Sequence, residues 1–174
     1  KSFNNLENAY EMCRKETQQW AKTFYLGTLL LPYEKRKAIW AIYVWCRRTD
    51  ELMDSSEALK KSEEELSDSL NSWEENTKNI FKGIVKTDLD AVLADTLEKY
   101  PQNIDPYLDM IAGQRMDLTK FRYKNFDELK LYCYRVAGTV GLMTQNVMGI
   151  DAFYEAASWI EVPDISEAAI ALGI

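Results

Sequence analysis

Apolar residues recur at three- and four-residue intervals along almost the whole chain, and little interrupts them. That period belongs to helices that each bury one face. Seven glycines and four prolines in 174 residues leave few breakpoints. Neither Asn-Gly nor Asp-Gly occurs to turn a hairpin. The pattern predicts an all-α fold, with residues 1–174 forming one helical domain or part of a larger one.

A first helix is predicted over Leu6 to Trp20, followed by a semi-extended apolar stretch from Thr23 to Leu31. Pro32 stands where a helix can begin, and the periodic pattern then runs unbroken to Asp54. Ser55 to Lys61 reads as a connector. Ser62 with Glu65 makes a capping-box pattern for a helix from Glu63 to Ile80. Thr87 with Asp90 makes a second, and that helix stops at Pro101. Asp105-Pro106 opens another that ends near Phe121, and Asp127 opens one running through Tyr132 and Met143 to about Met148. Gly149 to Pro163 reads as a loop, and Asp164 or Ser166 caps a last helix.

Composition excludes several functions. A net charge of −7 with no basic run argues against a nucleic-acid partner. It also means that an anionic substrate needs a bridging cation or a local cluster of Lys and Arg. The absence of histidine removes His-dependent triads, the usual zinc ligand sets and the commonest general base. Cys13, Cys46 and Cys133 are odd in number and far apart, which suits a reduced intracellular compartment better than a disulfide framework. No apolar run approaches the ~18–20 residues that cross a bilayer, and no signal-peptide core follows Lys1.

The stretch IWAIYVWCRRTDELMD, residues 39–54, begins like core and ends in charge. On a helical wheel with Ile39 at zero, Asp50 falls near ~20°, Tyr43 near ~40°, Asp54 near ~60° and Arg47 near ~80°. Arg48 falls near ~180°, on the far side. One stripe therefore passes from apolar to acidic, as in a pocket with an apolar floor and a polar mouth. Asp50 and Asp54 are one turn apart and repel each other unless a cation lies between them. Aspartate also suits a helix C-terminus poorly. A hard divalent cation such as Mg²⁺, which binds through one or two carboxylates plus substrate phosphates, removes both objections. A solvated face is the ordinary reading of D-x-x-x-D taken alone, and core packing is the ordinary reading of Trp40, Tyr43 and Trp45.

AKTFYLGTLLLP with RKAIWAIYVWCRRTDELMD, and later MIAGQRMDLTKFRYKNFDELKLYCYRVAGTVGLMTQNVMGID and SEAAIALGI, closely resemble the plant and cyanobacterial phytoene synthases. These sit within the squalene and phytoene synthase family of all-helical head-to-head prenyl transferases. The likeness runs from about Ala9 and is weakest over Ser55 to Asp88 and Ala152 to Asp164. It implies an isoprenoid-synthase-type helical bundle and a set of roles. Asp50 and Asp54 resemble the first aspartate-rich motif, which binds Mg²⁺, with Mn²⁺ as an alternative, and through it a prenyl diphosphate. Arg47 resembles the arginine that contacts diphosphate, and Tyr43 the tyrosine that faces the reacting centre. Lys22, Thr23 and Phe24 resemble the mobile flap over the headgroup. Tyr132, Val136, Ala137, Val140 and Gly141 resemble pocket wall. Gly138 and Gly141 either let a prenyl chain approach the backbone or let two helices pack closely.

The implied reaction joins two geranylgeranyl diphosphates through a cyclopropyl intermediate to phytoene, without a nicotinamide cofactor. The family's second aspartate-rich helix is expected beyond Ile174, so the bundle is expected to be incomplete and to expose an apolar face. The 174 residues alone are then expected to bind prenyl diphosphate weakly and not to turn it over. Asp105 and Asp109 have the motif spacing but read as acids at a helix start. Two other readings stay open: a non-catalytic interaction or assembly protein of the same fold, and squalene-type condensation of shorter prenyl diphosphates. Self-association through the apolar face and peripheral contact with a membrane also stay open. Leu29 to Leu31 are the residues nearest to hand for membrane contact, although packing is the favoured role for them. The implied compartment is a plastid or a bacterial cytoplasm.

Overall fold

The computed structural model, which describes residues 6–119, 122–149 and 167–168, is built around its longest helix. In chain order the helices are α1 (Leu6–Trp20), α2 (Lys22–Thr28), α3 (Tyr33–Asp54), a 3₁₀ turn (Ala58–Lys60), α4 (Glu63–Phe81), α5 (Asp88–Lys99), α6 (Asp105–Thr119), α7 (Phe126–Cys133), a π-helical turn (Tyr134–Gly138) and α8 (Thr139–Met148). No strand occurs among the described residues. The expectations for Phe121, for the loop from Ile150 to Pro163, and for the Asp164 or Ser166 cap fall outside the described residues. Glu167 and Ala168 are helical.

Helix α3 is central because its middle is apolar on nearly every side. From Lys37 to Cys46 every residue except Tyr43 is buried, as expected of a helix surrounded by others. One side joins Ile39, Ile42, Trp45 and Cys46 to Leu70, Trp73, Ile80, Tyr107, Ile111 and Met143 of α4, α6 and α8. Another joins Trp40, Ala41 and Val44 to Ala9, Tyr10 and Cys13 of α1 and Val92 of α5. Trp45 meets the edge of Tyr107 at 4.7 Å between centroids and stacks on Trp73 at 6.0 Å, geometries that aromatic rings favour.

The stretch predicted to be semi-extended is helical. α2 continues from α1 through Ala21 N–H to Thr17 O (2.9 Å) and Tyr25 N–H to Ala21 O (2.8 Å). Thr23, Phe24 and Tyr25 are middling helix formers, and tertiary packing overrides their local preference. Phe24 stacks on Tyr43 at 5.5 Å, Tyr25 stacks on Trp40 at 5.8 Å, and Trp40 Nε1 donates to Thr28 Oγ1 at 2.8 Å. The favoured packing role for Leu29 to Leu31 holds only for Leu31, which packs against the core, whereas Leu30 is 90% exposed. The helix expected from Asp127 through Tyr132 and Met143 to about Met148 starts at Phe126, capped by Asn125, and runs through the π turn into α8, which ends at Met148. The π turn is where α6 makes its contacts with this helix. Tyr134 OH donates to Asp109 Oδ2 at 2.8 Å. A Cβ on Gly113 would lie 2.9 Å from Val136 Cγ1 and 3.0 Å from Arg135 Cβ, so only glycine allows this approach. Asp109 therefore ties two helices together instead of serving a helix start.

Candidate active site

Along one side of α3 the side chains pass from core to surface. Ile39 is 1% exposed, Tyr43, Arg47 and Asp50 are half-buried, and Asp54 is exposed. Arg48 leaves the other side, where Nη1 donates to Asp90 Oδ1 at 3.0 Å and the guanidinium lies 4.6 Å from the Trp73 ring centroid. Arg47 stays on the acidic side, but its Nε donates to Glu51 Oε1 at 3.1 Å and its guanidinium lies 4.3 Å from the Trp20 ring centroid.

Helix α6 supplies the facing wall. Gln114 is buried, and its Nε2 donates to Asp50 Oδ1 at 2.8 Å. Asp117, three residues on and so on the same side of α6, interacts unfavourably with the charges of both Asp50 and Asp54. Its Oδ2 accepts a hydrogen bond from Tyr132 OH at 3.2 Å, and the Tyr123 ring lies 5.1 Å from that of Tyr132.

The electrostatics follow from this crowding of acids. Burial, then repulsion from Asp54, pushes the Asp50 carboxyl up to about 6; Arg47 pulls the other way, and Glu51 and Asp117 add to the rise. Burial also raises the Asp117 carboxyl; the Tyr132 hydrogen bond opposes that rise and Asp54 adds to it. Burial and the Asp117 charge together push the Tyr132 hydroxyl up to about 12. Burial raises Tyr43 as well. The negative charge here is therefore under-compensated, because Arg47, whose charge favours ionised Asp50, is shared with Glu51.

Among the described residues, no three Asp, Glu, Cys or His side chains close into a ready-made metal cage. Mg²⁺ needs no cage, since one or two carboxylates complete its shell with waters and substrate phosphates. Asp50 and Asp54 fit that demand: they are hard oxygen donors, one turn apart, whose mutual repulsion a divalent cation relieves.

The remaining candidates divide by position. Lys22, Thr23 and Phe24 are all exposed, and of the three Phe24 reaches the α3 stripe by stacking on Tyr43. Tyr132 is brought to the acids by Asp117. Val136, Ala137, Val140 and Gly141 are half-buried, the first two on the π turn, and Gly138 is buried. Gln114, Asp117, Trp20 and Gly113 belong to no spacing motif that the sequence singles out. A wheel drawn for α6 sets Gln114 and Asp117 about 60° apart, which was the available signal. A groove of about 550 Å³ lined by Leu6, Ile80, Phe81, Ala91 and Leu97 lies elsewhere, and none of the residues around Asp50 lines it.

The family model for squalene/phytoene synthase matches residues 17–174. The chain is 54% identical over 174 residues to a 15-cis-phytoene synthase of Synechocystis sp., covering 98% of this chain and 50% of that protein. It is 52% identical over 173 residues to a chloroplastic phytoene synthase 1 of Arabidopsis thaliana, covering 99% of this chain and 39% of that protein. It superposes on a dehydrosqualene synthase with TM-score 0.73 at 28% identity, over 83% of this chain and 49% of that one. A squalene synthase from Alicyclobacillus acidocaldarius shares the fold with TM-score 0.79 at 23% identity, over 97% of this chain and 58% of that one. The chain spans about half the length of the Synechocystis relative. A match over most of its length, on a helical fold shared with solved relatives, places the chain in the squalene/phytoene synthase family.

Proposed function

We propose that the protein to which this chain belongs couples two geranylgeranyl diphosphates head to head, through prephytoene diphosphate, to give phytoene, the first step of carotenoid biosynthesis. The observation that carries this reading is the wall of α3. It runs from buried Ile39 past Tyr43 to Asp50 and Asp54, and the amide and carboxylate of α6 face it. Identity of 52–54% to phytoene synthases supports the choice of reaction.

Asp50 and Asp54 would hold the cation, for which Mg²⁺ fits the donor set. When bound, it neutralises the diphosphate and makes it a better leaving group. The chain's own residues do the rest. Arg47 and Lys22 offer positive charge to the departing diphosphate; Arg47 uses Nε for Glu51, its partner at 3.1 Å, and keeps its Nη donors for phosphate oxygens. The stacked rings of Phe24 and Tyr43 present π faces to an allylic cation. Val136, Ala137, Val140 and Gly141 exclude water from that cation. Proton loss from a carbocation needs only a weak base, so a chain without histidine suits this chemistry.

The test is phytoene formation from geranylgeranyl diphosphate and Mg²⁺ by the protein expressed from its complete reading frame. Phytoene should form, and Asp50→Asn should lower the rate by at least about 100-fold, since disturbing even outer-shell partners of a metal site lowers activity by about 10–100-fold. Faster condensation of the shorter farnesyl diphosphate would overturn the substrate assignment. Absence of any condensation would overturn the enzymatic reading.

A further inference from the structure

Gln114 is 5% exposed on α6, and a buried amide needs a hydrogen-bond partner. It gives Nε2 to Asp50 Oδ1 at 2.8 Å. The backbone that carries it is held in place. Gly113, its neighbour, lies so close to the π turn that even a methyl group would meet Val136 at 2.9 Å. Asp117, on the same side of α6, bonds Tyr132. The amide is thus mounted on a fixed element and aimed at one oxygen of one carboxylate.

The residue type also fits. A lysine or arginine here would cancel the negative charge that draws a cation to Asp50 and Asp54. A glutamate would add a fourth acid to Asp50, Asp54 and Asp117, which already repel one another. Glutamine is a neutral donor. It fixes the carboxylate and leaves its charge in place.

We infer that Gln114 is a positioning residue that locks the Asp50 carboxylate through Oδ1 and leaves Oδ2 as the oxygen offered to a divalent cation. The inference rests on the reading of Asp50 as a cation ligand. Outer-sphere hydrogen bonds of this kind orient metal-binding side chains before the metal arrives.

Binding of Mn²⁺ tests it, followed by electron paramagnetic resonance of the free ion without any diphosphate, on the protein expressed from its complete reading frame. Gln114→Met keeps the length and loses the donor. It should weaken Mn²⁺ binding about 10-fold or more and raise the Mg²⁺ needed for half-maximal phytoene formation in parallel. KM for geranylgeranyl diphosphate at saturating Mg²⁺ should stay within about twofold, because only uniform binding would move it. Gln114→Asn, one methylene too short, should behave like Gln114→Met while keeping an amide in the site. In an Asp50→Asn background, Gln114→Met should add nothing further. Wild-type Mn²⁺ affinity in both variants would overturn the positioning role, as would full additivity with Asp50→Asn. If the wild-type protein takes up no Mn²⁺ even when inorganic diphosphate is added to complete the ion's shell, the assignment of Asp50 as a ligand fails, and this inference fails with it.

Discussion

Removing Arg48 should reverse the pH response of the Asp90 region without touching the candidate site. Asp90 is 1% exposed, and its Oδ1 accepts from Arg48 Nη1 at 3.0 Å while Oδ2 accepts from Thr87 N–H at 3.1 Å. Burial pushes its carboxyl up, but the hydrogen bond and charge of Arg48, with bonds from Thr87 and Asn76, outweigh burial and hold it below the usual carboxylate range. The Arg48 side chain is 24% exposed, so the two partners are not equal. Arg48→Met keeps an aliphatic stem on Trp73 and leaves a buried carboxylate unpaired, which should cost about 3–4 kcal/mol at neutral pH. Asp90→Asn leaves an arginine that can turn to water, and should cost about 2 kcal/mol. The pH dependence separates the two further. In the wild type the depressed carboxyl contributes stability that is complete above about pH 4 and is lost only below it. In Arg48→Met, burial is no longer opposed by Arg48, so the folded carboxyl takes up a proton above its unfolded value and the penalty shrinks as the pH falls. Urea unfolding at about pH 7 and about pH 4.5 should show the Arg48→Met deficit shrinking by about 1 kcal/mol or more, while the Asp90→Asn deficit stays level. Glu16 also lies near the Arg48 charge; the double variant, which lacks Asp90, should show less of this pH response. Parallel deficits at both pH values would refute the claim that Asp90 depends on Arg48 for its charge.

Two other variants test the frame that positions the site. Gly113→Ala forces a methyl against Val136 Cγ1 at 2.9 Å and Arg135 Cβ at 3.0 Å; it should cost about 1–3 kcal/mol by overpacking, and adding Val136→Ala should recover part of that in thermal melts. Ser62→Ala removes the hydroxyl that accepts from Glu65 N–H at 3.2 Å at the start of α4. It should cost about 1 kcal/mol in urea unfolding and leave Mn²⁺ affinity unchanged, because α4 starts at the surface, away from Asp50.

Features set by residues three or four apart could be read from the sequence. Ser62 with Glu65 and Thr87 with Asp90 both form the reciprocal capping boxes their spacing suggests, since everything a capping box needs lies within one turn. The divergence of Arg47 and Arg48 by ~100° is equally accessible, being a property of one helix. Features that depend on a distant partner were not. α2 is helical because Phe24 and Tyr25 find Tyr43 and Trp40 on α3. The π turn exists where Gly113 and Asp109 of α6 crowd the chain some twenty-five residues later. Nothing local to Tyr134–Gly138 encodes it.

The candidate site divides in the same way between local and distant partners. A wheel on α3 gives the direction of Asp50 but not what it meets, and its hydrogen-bond partner lies 64 residues along the chain. Seen on α3 alone, the acids form a pair whose repulsion an exposed helix end could tolerate by letting water screen it. Burial changes that balance. It is the largest cause of the rise at Asp50, followed by Asp54, and Glu51 and then Asp117 from α6 add to it. Folding therefore holds these like charges together on a half-buried wall, where each disfavours the others. The amide of Gln114 stabilises one oxygen but carries no charge, and the guanidinium of Arg47 is shared with Glu51. On the proposed reading, a divalent ion at Asp50 and Asp54 would relieve this repulsion. The convergence of α3 and α6 on an under-compensated negative charge is what supports the proposed cation site, and no spacing within one helix reveals it.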